Sequence, residues 1–191
     1  MLIQEIDSII ESIVEPNYFL TSQNTVVPLS KKATQSLNCY AYALGITFSG
    51  NSKQHYFPGF TIQKFPLITP KFLCKFFTID LKNLGIQYRK IGLDESTDIM
   101  ENEYLIKLFY SSPNSYLPDG DFHFVRQDPK SKLWFHKLGW KNQPELVQSC
   151  VPKNNTLLGT EPIEFDFVDS NNNLAYKLEP ICYFAISYKN Y

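Results

Sequence analysis

The chain has 191 residues, of which 43% are hydrophobic, and a net charge of −1. A single domain of that length buries roughly 70% of its unfolded surface, so it needs neither disulfides nor a metal to hold together. The balanced charge excludes the basic footprint of a nucleic-acid or anionic-membrane binder, and no apolar run reaches the length of about eighteen residues that a transmembrane helix requires.

Residues 2–14 place Leu2, Ile6, Ile9, Ile10, Ile13 and Val14 at helical spacing with acidic residues between them. That pattern predicts an amphipathic helix, ended by Pro16. The acidic start lacks the basic flank of a secretory signal peptide. The expected location is therefore the cytoplasm, or outside the cell by a secretion system that uses no such signal. Residues 17–35 show no sustained period and lead into a second helical pattern.

That pattern begins at Cys39, in the run Ser36-Leu37-Asn38-Cys39-Tyr40-Ala41-Tyr42-Ala43-Leu44. Asn38 is a good N-cap and Gly45 a good C-cap, which puts Cys39 in the first helical turn. Unpaired N–H groups and partial positive charge at a helix start favour thiolate and can hold an oxyanion. Cys39 is thus a candidate nucleophile. Gln35, Ser36 and Asn38 are candidate side-chain donors to the oxyanion.

Residues 47–66 read as loop, with Gly50, Pro58, Gly59 and Pro66. A helix follows Pro70, with Phe72, Leu73, Phe76, Phe77, Ile79, Leu81 and Leu84 on a broad apolar face and Gly85 closing it. Short strands are expected at 86–91 and 103–110, then a turn-rich loop over 111–120. Residues 122–127 and 132–138 form a hairpin around Asp128-Pro129-Lys130-Ser131, with Asp and Pro where a type I turn wants them. Two further strands are expected at 162–168 and 178–188. Helices first and antiparallel strands after give an α+β fold, a single domain over 1–191 in which 1–35 is an N-terminal helix and lead-in.

The chain has three histidines, His55, His123 and His136. His55 reads as a solvated loop residue. The other two lie on the two hairpin strands, and any even-length loop puts both rings on one sheet face. Two registers satisfy this: one pairs His123 with His136, the other pairs Val125 with His136. His123 then suits a general base and acid for Cys39, and His136 an orienter that fixes the ring of His123. Asp121 shares that face and is a second candidate orienter. Tyr40, Trp134 and Trp140 are candidate substrate-groove residues.

The four cysteines, Cys39, Cys74, Cys150 and Cys182, show no paired ligand spacing, so no metal or other cofactor is expected. Cys74 and Cys182 lie in apolar runs and read as inert core thiols.

A cysteine at a helix start, a histidine opening a strand and a polar residue on the next strand resembles the papain-like cysteine hydrolases. The His at 136 following that at 123 resembles the NlpC/P60 branch. The runs Asn38 to Leu44, Pro58-Gly59, Asp121 to Asp128 and Trp134 to Lys137 are similar to a set of bacterial proteins of that superfamily. The resemblance spans about residues 36–140. It implies a papain-like core over 36–191, N-terminal helices packed on an antiparallel sheet, and a Cys39–His123–His136 triad. The implied activity is a thiol-dependent hydrolase or acyl transferase, of peptidase or amidase type. Its substrate would be a peptide or other amide, or a thioester, including such a bond in a protein, handled through an acyl-enzyme. Two alternatives stand beside it: a non-catalytic protein-binding module on the same fold, and a secreted bacterial effector or toxin with peptidase or deamidase activity.

Overall fold

The computed structural model describes residues 38–45, 56–64, 68–128, 132–137, 144–146 (backbone), 161–168 and 173–187. The expected helix over 2–14, the candidates Gln35, Ser36 and Trp140, and the residues His55 and Cys150 lie outside the described residues.

The fold is mixed α+β and mostly sheet. Helix α1 runs Cys39–Leu44 and helix α2 runs Pro70–Asn83, with a 3-10 turn at Phe60–Ile62 between them. Seven strands follow: β1 Tyr88–Ile91, β2 Glu103–Ser111, β3 Asp121–Gln127, β4 Trp134–Lys137, β5 Pro144–Leu146, β6 Phe165–Val168 and β7 Leu174–Ser187. The main path is β1-β7-β2-β3-β4-β5, with every pairing antiparallel, and β6 pairs with the first half of β7. The last strand is longer than the pattern at 178–188 suggests, because its first half serves β6 and its second half serves β1 and β2.

Both helix ends form as the residue types require. Asn38 accepts from the Ala41 N–H at 3.0 Å, and Gly45 takes the left-handed conformation at φ 67°. Thr69 caps α2 in the same way, and Pro70 fills its first position, where a missing N–H costs nothing.

Alternation along the strands gives the sheet two covered faces. Tyr104, Ile106, Leu108, Phe124, Cys182, Phe184 and Ile186 share one cluster with α1 and α2. Phe77 of α2 meets Phe124 and Phe184 edge-on or tilted, at 5.1 and 4.7 Å between centroids. Rings of this size each contribute about 2–3 kcal/mol by leaving water. Leu105, Phe109, Val125, Trp134, Tyr183 and Ala185 form the second cluster with Phe165 of β6.

The hairpin takes the second of the two registers. Val125 pairs with His136, Arg126 with Phe135 and Gln127 with Trp134. The Asp128 N–H donates to the Leu133 carbonyl and the Lys132 N–H to the Asp128 carbonyl, which closes the loop around 129–132.

Candidate active site

Helix α1 packs on β3 and β4. Its position is set from three sides. The Asn38 amide nitrogen donates to the Tyr56 carbonyl. The Tyr40 hydroxyl donates to Asp80 of α2 at 2.6 Å. At the far end Tyr104 donates to the Ala43 carbonyl at 3.2 Å, and Arg126 reaches the Tyr42 carbonyl at 3.4 Å. The Gly45 N–H caps the Ala41 and Tyr42 carbonyls, and the Arg126 cation and Tyr104 hydroxyl add partners for the carbonyls of Tyr42 and Ala43, which the short helix leaves under-satisfied. Arg126 also lies over the Tyr104 ring, 4.7 Å from its centroid.

This arrangement brings the Cys39 sulfur against β3. The backbone of Phe124, the residue after His123, and that of Tyr40 lie close enough to the thiol to pull its pKa down. Cys39 is 9% exposed. Burial pushes its thiol up to about 12, which outweighs the two backbone groups; the charge of Asp121 adds to the rise and that of Lys137 opposes it. The expectation of a resting thiolate at the helix start is therefore corrected. A six-residue helix supplies a small dipole, and loss of water costs the anion more than that dipole returns.

The two imidazoles meet directly. His123 Nε2 and His136 Nδ1 are 3.0 Å apart, in hydrogen-bonding contact. His136 stacks on Phe165 at 5.5 Å, and His123 meets the same ring edge-on at 5.3 Å. Both rings are buried. Desolvation holds His123 well below the ordinary 6.5, with its neighbour His136 adding to the effect. Desolvation alone brings His136 down to about 4. The pair is thus neutral near pH 7, one ring donating and the other accepting.

The sulfur and the rings approach β3 differently. Cys39 belongs to the helix-side cluster, whereas both imidazoles pack on Phe165 of the second cluster. Among the described contacts, those of the Cys39 sulfur are to backbone and not to an imidazole nitrogen. His123 spends Nε2 on His136, so Nδ1 is the nitrogen left to face a proton donor.

The remaining candidates divide clearly. Asn38 uses both ends of its amide, as N-cap and as donor to Tyr56, so it is a helix anchor and not an oxyanion donor. The Asp121 carboxylate accepts from the Phe122 N–H at 2.8 Å; the ring partner of His123 is His136. Tyr40 is fully buried, with Phe60, Phe77 and Phe124 edge-on around its ring, so it is core and not groove. Trp134 is buried in the second cluster for the same reason: its strand is covered on that face.

Two residues near the site were not anticipated. Asp80 accepts from Tyr40, from the Gly59 N–H, and from both the N–H and the hydroxyl of Thr61. A carboxylate on the buried stripe of an amphipathic helix is the sequence signal for such a hub. Lys137 follows His136 on β4 and is fully buried. Burial brings its amine down to about 8, against an upward pull from Cys39. Its position next to a site histidine was the available signal.

No group of three or more His, Cys, Asp or Glu suited to a metal occurs among the described residues. No helix among them is long and apolar enough to cross a membrane. Compared with family models, curated proteins and solved structures, the chain matches none of them.

Proposed function

We propose that the chain is a papain-like cysteine hydrolase or acyl transferase acting on an amide or thioester carbonyl. Cys39 is the nucleophile, His123 the general base and acid, and His136 the residue that orients it. The observation that carries this reading is the 3.0 Å contact from His123 Nε2 to His136 Nδ1, on the strand whose next residue, Phe124, has its backbone beside the Cys39 thiol. That contact holds the direction of the His123 ring, the job a third triad member performs, and with Nε2 donating to His136 it leaves Nδ1 as the basic nitrogen.

Because the thiol and both rings are neutral at rest, attack and proton transfer go together. In this reading the Cys39 side chain, which rests in the helix-side cluster, turns toward His123 when substrate binds, and the sulfur bonds to the carbonyl carbon as Nδ1 of His123 takes the thiol proton. The backbone groups of Phe124 and Tyr40 that meet the sulfur lie where N–H donors can steady developing charge. The protonated ring then gives its proton to the leaving group, and water or another acceptor releases the acyl group.

The test is acylation by p-nitrophenyl acetate, followed by release of p-nitrophenol and by mapping the acetyl thioester. The expected result is acetyl on Cys39, lost in Cys39→Ala, with the rate down at least about tenfold in His123→Ala and near-native circular dichroism in both. Equal acylation rates in native protein and His123→Ala would overturn the triad.

A second reading has one observation in its favour: the low exposure of Cys39 and the upward shift of its thiol fit a binding module that never turns over. It predicts no acetyl thioester at Cys39 in the same experiment.

A further inference from the structure

We propose that Cys74 and Cys182 are a redox dithiol that closes to a disulfide when the protein meets a peroxide, tying α2 to β7. Both are free cysteines, and their sulfurs lie 3.1 Å apart although the residues are 108 positions apart in sequence. A disulfide bond of about 2.05 Å needs only about 1 Å more approach between two side chains. Both thiols are buried in the core, as their apolar runs imply, and the contact makes them a pair.

The surroundings assign the two sulfurs different roles. Cys74 is 8% exposed and Cys182 2%, so oxidant reaches Cys74 first. Lys90 lies on the edge strand β1, pairs with Phe184 and is exposed. Its positive charge lies close enough to Cys74 to favour the thiolate there. The hydrogen bond from Cys182 pulls the Cys74 thiol down, Lys90 adds to this, and burial opposes both. Cys182 is pushed the other way, chiefly because its own proton is held in that same bond. Cys74 is the attacking thiol and Cys182 the resolving one.

The electrons balance with one peroxide. The Cys74 sulfur attacks a peroxide oxygen, the O–O bond breaks, and water leaves with the thiol proton, giving a sulfenic acid on Cys74. The Cys182 sulfur then attacks the Cys74 sulfur; the S–O bond breaks and the hydroxyl leaves as a second water with the Cys182 proton. Two thiols are oxidised by two electrons and hydrogen peroxide is reduced to two waters.

The experiment treats the full chain with hydrogen peroxide, caps remaining thiols with N-ethylmaleimide, digests with trypsin and maps the peptides. The expected product joins peptide 72–75 to peptide 178–189 and is released by dithiothreitol. In the same samples the melting temperature rises by about 5–10 °C on oxidation, since the bridge closes a long loop. In Cys182→Ala the rise is lost and dimedone labels Cys74. Recovery of both peptides with capped thiols, or bridges made only through Cys39 or Cys150, would overturn the proposal.

Discussion

Asp80, on the buried side of α2, accepts the Tyr40 hydroxyl at 2.6 Å, so the residue next to Cys39 is held by a helix elsewhere in the chain. The same carboxylate takes the Gly59 N–H and two donors of Thr61. Asp80 is fully buried. Burial raises its pKa above the ordinary 3.8, while the Thr61, Tyr40 and Gly59 bonds pull it back. One side chain therefore joins α1, α2 and the Pro58–Gly59 turn. Asp80→Ala leaves four buried donors without their acceptor and is expected to cost about 3 kcal/mol or more in urea unfolding. Asp80→Asn keeps an acceptor oxygen and is expected to cost less, about 1–2 kcal/mol. Equal stability of Asp80→Ala and native protein would show that the hub does not hold the helix.

Gly59 is the turn residue that makes this meeting possible. It has φ 98°, a conformation that side chains rarely adopt, and a Cβ there would lie 2.4 Å from the Lys64 carbonyl oxygen and 3.0 Å from Phe76. The carbonyl is backbone and cannot swing aside. Gly59→Ala is expected to destabilise by about 2 kcal/mol or more, through strain and clash together. Because the Gly59 N–H bonds to Asp80, the same substitution is expected to loosen α1. Amide exchange at Ala41 and Tyr42 checks this: protection unchanged from native would separate the turn from the helix.

Local chemistry made much of this legible before any coordinates. Asn38 and Gly45 bound α1 as their side-chain oxygen and conformational freedom require, and Pro70 opens α2. Hairpin parity puts both imidazoles on one face, but two registers share that parity. The observed pairing of Val125 with His136 follows from where the loop closes, at Asp128 and Leu133. Tertiary docking was not legible. Nothing local says that Cys74 of α2 lands on Cys182 of β7, or that Tyr40 finds Asp80. The helix start at Cys39 is visible in sequence, whereas the desolvation that overrides it depends on what covers the helix.

The buried imidazoles make the fold sensitive to acid. His136 is held down to about 4 and His123 well below 6.5, both by burial. The unfolded chain binds these protons near pH 6.5, and the folded chain only at lower pH. Stability from this source is complete above about 6.5 and lost as pH falls toward 4, worth roughly 3 kcal/mol for His136. Urea midpoints measured from pH 7 to 4 are expected to fall, and to fall less steeply in His136→Gln. Parallel curves for the two proteins would place the acid sensitivity elsewhere.

Phe165 is the ring that covers both imidazoles. Its ring stacks on His136 and meets His123 edge-on, and it also packs on Phe109 at 4.9 Å. Phe165→Ala is expected to cost about 3–5 kcal/mol through the cavity it leaves. Phe165→Leu keeps most of the volume and is the better probe. In that variant water gains access beside the rings, and the His136 titration followed by proton NMR is expected to move up from about 4 toward 6.5. No movement would mean that the sheet itself, rather than this one ring, excludes water from the pair.

The alkaline limb tests the state of Cys39. Its thiol is pushed up to about 12 from the ordinary 9.0, so between those values the folded protein holds a proton that the unfolded chain has released. Stability is expected to fall as pH rises through that window, and Cys39→Ala to remove part of the slope. The same burial governs reactivity. Iodoacetamide needs a free thiolate, so at pH 7 Cys39 is expected to alkylate more slowly than Cys74, whose sulfur is the more acidic of the two. An ester that bonds at the sulfur while His123 takes the proton escapes that limit, because no free thiolate has to form first. Slow alkylation together with fast acylation at Cys39 would therefore be the signature of a sulfur activated only during attack. Fast alkylation at pH 7 would mean that the thiol is ionised at rest and that burial does not govern its charge.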